Sequence, residues 1–343
     1  MTRARDTANT QENIGGSVAP FVAGKNAIIN GDFGIAQRGT SINTATTTQA
    51  YTLDRLWVYS NGPAVTTSQQ VTGDTTNLPN IQFCARLQRQ SGQTSTSPAV
   101  WNLPIETRNS IRFVGQSVTL SFYARKSSTY TGQFGAYIYS GTGTDQSGLG
   151  GYTGQATVAS TGPSLTTTWT RYSVTGTVAT TATELRIEFN TGVYSGTAGA
   201  SDYFEITGVQ LEAGSVATPF TTATGTVQGE LAACQRYYWR NTTTLLYGNL
   251  TPFSGIATST TSVSYAFQPP VPMRITPTVI DYSNLSIFDA TTAAAISAIA
   301  FSGYQNANTM GLVVTVTGAI ATRSQCIISN NSTSAYIGFG AEL

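Results

Sequence analysis

A chain of 343 residues in which charged side chains make up 10%, aromatic ones another 10%, and 34 positions are glycine has length for two or three domains, and its texture favours short strands over long helices. Its net charge of +1, with Lys25 and Lys126 the only lysines, provides no positive field for gathering phosphates, so nucleic acid is not an expected partner. Histidine is absent, which excludes a Ser-His-Asp triad, a Cys-His pair, a histidine-ligated metal and imidazole acid-base catalysis, and leaves carboxylates as the only candidates for acid-base work.

Residues 1–24 are polar, carry Arg3 and Arg5 beside Asp6, include Gly15-Gly16 and run through Val18-Ala19-Pro20-Phe21. Too few apolar side chains are present to fold alone, so the segment is predicted to be an attachment arm that docks onto a larger assembly, with plain disorder as the alternative. It lacks the apolar core of a signal peptide, and no later run has the length and apolarity to span a bilayer, so membrane insertion is not expected.

Residues 25–222 alternate apolar and polar positions between clusters of Gly, Ser, Thr and Asn, the pattern of an antiparallel β-sandwich. Over 118–124, Val118, Leu120, Phe122 and Ala124 share the inward face. Over 134–139 a strand leads into the glycine-rich loop 141–154, and Tyr172, Val174 and Val178 mark another strand after Trp169. Over 184–189, Leu185, Ile187 and Phe189 point inward and leave Glu184, Arg186 and Glu188 as a solvated outward row. In the last strand, Phe204 and Ile206 alternate with Glu205 and Thr207, but Val209 and Leu211 resume one residue late, which predicts a bulge at Gly208.

Residues 223–343 form the second predicted domain. Val227, Leu231, Cys234 and Tyr238 recur at helical spacing, which predicts a short helix that either lines a three-fold seam or packs on its own domain. A β-rich unit follows. Prolines 269, 270, 272 and 277 make 268–277 an edge or a connection, and the run 293–300 is open between helix and strand. No internal repeat of solenoid period is present. Cys84, Cys234 and Cys326 are odd in number and widely spaced, and are predicted to be free buried thiols.

The stretch 204–220, together with Asn30-Gly31-Asp32-Phe33, Ala36-Gln37-Arg38-Gly39, Tyr51-Thr52-Leu53-Asp54-Arg55 and Cys234-Gln235-Arg236-Tyr237-Tyr238, resembles a bacteriophage tail-fibre family from about Asn26 to the C-terminus. The resemblance implies an all-β chain in which a jelly-roll β-sandwich, similar to carbohydrate-binding modules, is followed by a short helix and a second, smaller β-sandwich-like tip domain. Such jelly rolls often hold a calcium between the segment matching Asn30-Gly31-Asp32-Phe33 and an acidic pair in the final strand. Here Thr207-Gly208 replaces that pair, so no metal and no cofactor is predicted, and Asp32 is expected to bond turn amides.

A sugar offers one apolar face and a polar rim, so its sites combine aromatic rings with hydrogen-bonding side chains. Tyr137 and Tyr139 share a strand face beside the loop that carries Asp145, Gln146 and Tyr152, and these five are the glycan-site candidates, with sandwich core as the competing role for the tyrosines. Tyr304, Gln305, Asn306, Asn308 and Asn330 are the candidates for tip contact. Val227, Leu231, Tyr237, Tyr238 and Trp239 are the candidates for an oligomer interface. Asp54 and Arg55 are expected to fix a turn or form an internal ion pair. No two carboxylates form a convincing hydrolytic pair, so no catalytic residue is predicted.

The expected protein is a non-enzymatic virion component: a homotrimeric tail fibre, made in the host cytoplasm, that adheres to a host-surface glycan and binds other virion proteins through its N-terminal arm. Two alternatives remain at this stage. One is a purely architectural adaptor or head fibre, and the other is a polysaccharide depolymerase.

Overall fold

Alternation of apolar and polar residues along most strands of 25–222 gives each one apolar face, and two sheets close over those faces. The computed structural model describes residues 23–343 apart from 149, 244, 247, 251–254, 290, 292 and 331. The predicted arm therefore lies almost wholly outside the described residues. The chain divides into two compact units, residues up to Glu230 together with Leu343, and Leu231–Glu342.

In the first unit the strands are β1 (Ser41–Thr44), β2 (Gln49–Tyr51), β3 (Trp57–Ser60), β4 (Val65–Val71), β5 (Phe83–Arg89), β6 (Ala99–Ile105), β7 (Ser117–Lys126), β8 (Gly135–Gly141), β9 (Ala156–Thr161), β10 (Thr170–Thr177), β11 (Glu184–Asn190) and β12 (Tyr203–Ala213). Among the described residues they form two six-stranded sheets, ordered β1-β4-β5-β12-β7-β10 and β2-β3-β6-β11-β8-β9, with every pairing antiparallel. The inward sets expected on β7 and β11 all enter one core. There Phe122 meets Phe189 edge to face at 5.1 Å, and Trp101 meets Phe204 in the same way at 5.1 Å.

The bulge in β12 is present: its register against β7 shifts between Thr207 and Gln210, and Gly208 has φ +59°. A side chain there would be strained whatever room it had. The bulge turns Val209 toward the Asn30-Gly31-Asp32-Phe33 turn, where the Val209 amide donates to the Gly31 carbonyl at 2.8 Å. A Cβ on Gly31 would run into the Val209 carbonyl oxygen. The other motif residues join the same buried turn: Asn30 Nδ2 donates to the Asp54 carbonyl at 3.0 Å, the Gln37 amide donates to Asp54 Oδ2 at 2.7 Å, and Arg55 donates to the Pro104 carbonyl at 2.8 Å. Asp32 Oδ1 accepts from the Gly34 amide at 3.3 Å.

A helix spans Val227–Gln235. It stops short of Tyr238, which opens β13 (Tyr238–Thr242), because the Tyr237 amide folds back on the Cys234 carbonyl and the chain then pairs as a strand. Beyond it lie β14 (Gly255–Ser259), β15 (Ser262–Phe267), β16 (Val279–Ser283), β17 (Leu285–Phe288), β18 (Ala293–Phe301), β19 (Met310–Thr317), β20 (Gln325–Asn330) and β21 (Tyr336–Gly340). The all-β reading holds, and the second unit gives it a particular form: strands β14-β15-β19-β18-β17-β20 close into a barrel beside a three-stranded sheet, β13-β21-β16. Closure leaves the barrel without open edges. The ambiguous run 293–300 is strand, and 268–277 is a connection, as its prolines require. The three cysteines are buried thiols outside any disulfide among the described residues.

Candidate functional site

The outward face of the second sheet is built by residues that alternate with core residues. Val58, Trp101, Leu103, Ile187, Phe189, Ala136 and Ile138 lie in the core, so Trp57, Tyr59, Asn102, Glu188, Tyr137 and Tyr139 face the other way. Register then aligns them across the sheet: Trp57 opposes Asn102, Asn102 opposes Glu188, and Glu188 opposes Tyr137. Along β3 the Trp57 and Tyr59 rings stack at 6.4 Å and 15°. Along β8 the Tyr137 and Tyr139 rings stack at 5.5 Å and 4°. Three strand spacings separate the two stacked pairs, roughly 14 Å.

Between the pairs lies a polar floor. Arg186 Nη1 donates to Asn102 Oδ1 at 2.8 Å and lies 3.5 Å from Glu188 Oε2, and its guanidinium covers the Tyr139 ring at 4.7 Å and the Tyr152 ring at 5.4 Å. Asn102 is fully buried, and its Nδ2 has no protein partner. Trp57, Tyr59, Asn102, Arg186 and Glu188, with Gly148, Gly150 and Gly151 above them, line a groove of about 320 Å³. Burial pushes the Glu188 carboxyl up against the opposing pull of Arg186, and burial, then Glu188, then Tyr137 push the Tyr139 phenol up to about 12. The site can therefore offer flat apolar surface, one unused amide donor and a charge-balanced pair.

Tyr137 and Tyr139 are half-buried on this face, so they are not sandwich core. The loop candidates have another job. Gln146 clasps its own loop, accepting from the Thr153 amide at 2.8 Å and donating to Thr153 Oγ1 at 3.1 Å. Asp145 accepts from the Thr107 amide at 2.8 Å, and the buried Tyr152 donates to the Leu185 carbonyl at 3.2 Å. The outward row Glu184, Arg186, Glu188 is not solvated: exposure falls to 1%, 5% and 8%, because the loop that follows β8 folds over it. Trp57, Tyr59, Asn102, Arg186 and Glu188 were not among the sequence candidates for this site. The alternation within each strand was the available signal, but their meeting depends on pairings between distant strands.

The interface candidates divide, with Val227 in the first unit and the others in the second. Val227 is exposed and Leu231 half-buried, but Tyr237, Tyr238 and Trp239 are buried within the unit. Trp239 stacks on Phe339 at 5.7 Å, and the Tyr238 hydroxyl donates to Asp281 at 2.6 Å, so these rings serve packing and not a subunit contact. Of the tip candidates, Tyr304 is 87% exposed beside a turn in which Asn306 Oδ1 accepts the Asn308 amide, and Gln305 Oε1 accepts the Gly303 amide. Asn330 is fully buried and donates to the Leu245 and Ser332 carbonyls, so it cannot serve at a tip.

No protein-family model matches the chain, and no curated protein matches it. Similar solved structures include a CBM4 carbohydrate-binding module, at 16% identity over 38% of this chain and 71% of that one with a TM-score of 0.28. Others are the enzymatically active domain of tailspike protein 4 of bacteriophage CBA120, at 18% identity over 55% of this chain with a TM-score of 0.34, and an apo cyclase from Fischerella sp., at 14% identity over 59% of this chain and all of that one with a TM-score of 0.36. The match spans 21% of the tailspike chain. At these values the likenesses carry no weight for function, which rests on the chain's own residues.

Proposed function

We propose that this chain is a non-catalytic glycan-binding protein whose site is the outer face of the second sheet. The observation that carries the reading is the cross-sheet row Trp57, Asn102, Glu188, Tyr137, flanked at each end by a stacked aromatic pair. Pyranose faces would stack on the rings while Asn102 and Arg186 bond hydroxyls. The spacing of the two platforms suits an oligosaccharide better than a single sugar. Against hydrolysis, Glu188 is the one carboxylate lining the groove, and Arg186 stands beside it.

The wider setting belongs to the same proposal. The ordered motifs resembling phage tail fibres support a virion role, with the segment 1–24 docking to other virion proteins and the chain working as a homotrimer. Shallow sites repeated around a symmetric fibre would bind a surface polysaccharide far more strongly than one alone. The test is a glycan array probed with the full chain, beside sedimentation of the same sample. Saturable binding that Tyr137→Ala removes, from a species of three chains, is the expected result. A blank array across host polysaccharides would overturn the glycan reading, and a monomer would remove the multivalent part.

A further inference from the structure

A second groove of about 750 Å³ has Tyr137 in its wall, and Tyr137 pairs across the sheet with Glu188 of the smaller groove, so the two spaces adjoin. Glycine keeps that wall in place, since a Cβ at Gly135 would stand 2.8 Å from the Tyr137 ring. The two spaces differ in charge. The smaller holds Arg186 and Glu188 side by side and is balanced. Among the residues lining the larger, Lys126 is the single charged side chain, and no described residue pairs with its ammonium.

The lining also holds polar side chains that are unspent. Gln133, Ser160 and Ser164 are exposed, and no described hydrogen bond uses their side chains. Asn190 orders the rim by accepting the Gly192 amide at 2.7 Å. An unpaired ammonium beside neutral hydrogen-bonding groups and an aromatic edge is matched by a sugar that carries one negative charge. In a chain with two lysines, its placement in a groove of about 750 Å³ is the feature that needs an occupant.

We infer that the larger groove is a second saccharide subsite, continuous with the aromatic face, that takes an anionic sugar residue through Lys126. This rests on the glycan reading above and names the class of glycan: an acidic polysaccharide, its charge supplied by a carboxylate or by a phosphodiester. The charged residue occupies the Lys126 groove while neighbouring neutral residues stack along the sheet.

The test is one array of bacterial capsular and O-antigen polysaccharides, each printed native and after carboxyl reduction, probed with the full chain, Lys126→Gln and Lys126→Arg. Expected hits are acidic polymers whose affinity Lys126→Gln lowers about fivefold, the scale of one partly exposed ion pair, and Lys126→Arg retains. The wild-type affinity should also fall as salt rises. Loss on carboxyl reduction assigns the charge to a carboxylate, and binding that survives reduction but still needs Lys126 assigns it to phosphate. Hits on neutral polymers, or Lys126→Gln binding like wild type, overturn the inference and leave the glycan reading standing. No hit at all overturns both.

Discussion

The two outer faces of the sandwich start from the same alternation and end in opposite states. On the first sheet the outward side chains are consumed by the chain itself. Glu205 takes Arg86 at 2.6 Å on one side and Arg125 at 2.5 Å on the other, Glu212 accepts the Thr218 amide at 2.9 Å, and Gln210 Oε1 accepts the Thr221 amide at 2.9 Å. Leu78, Ile81, Cys84 and Trp169 make a small apolar cluster there, with Tyr123 and Phe220 against it. On the second sheet a glycine-rich loop covers part of the face and Trp57 is buried, but Tyr59, Tyr137 and Tyr139 stay half-buried on it. The lesson is that polarity does not mark the functional face, because the sealed face is the more charged of the two. What sets the second face apart is a set of aromatic rings that the chain leaves only half covered.

Glu205→Gln removes the anion that holds two guanidiniums on the sealed face, and should cost about 2–3 kcal/mol of stability, the low end for a buried pair because both arginines keep some water. Denaturant melts would read it, and glycan affinity should not move. Trp57→Ala should weaken glycan binding by about 2 kcal/mol, as loss of a central aromatic anchor does. Titration calorimetry reads this one, and an unchanged affinity would mean the open face is only a surface.

Gly208→Ala should destabilise by roughly 1–3 kcal/mol, since its φ is positive and the new Cβ would meet Ile81 and Tyr123. The loss should appear in thermal melts without a change in binding. Glu188→Gln is the smallest effect and depends on pH. Because burial raises the folded carboxyl above its unfolded value near 4.3, the stability it contributes is present below that value and lost as pH rises through the folded one. The variant should therefore match wild type in acid and be the more stable at neutral pH. Equal pH profiles would show that the carboxylate bears no burial cost.

Much of the sandwich was legible because its information is local. The inward sets of β7 and β11 and the phase break at Gly208 each lie within a few residues, and period-two alternation reports them directly. The motifs that carry the family resemblance are likewise structural: Asn30, Gly31, Gln37, Asp54 and Arg55 lock one turn against the β12 bulge and do not line the proposed site. The site was half legible. Tyr137 and Tyr139 announce themselves on one strand, but Trp57 joins their row only through β6 and β11, a register no single segment encodes. Tyr238 misled for a related reason, since its spacing fitted a helix that strand pairing ends at Gln235.

The most direct test sets one tyrosine from each face against the other. Tyr137 lies on the open face and Tyr123 on the sealed one, and both are half-buried. Calorimetric titration of Tyr137→Ala and Tyr123→Ala with a polysaccharide that the wild-type chain binds should show affinity lost in the first and kept in the second. Retained binding in Tyr137→Ala, or loss confined to Tyr123→Ala, would contradict the assignment of the glycan site to the second sheet.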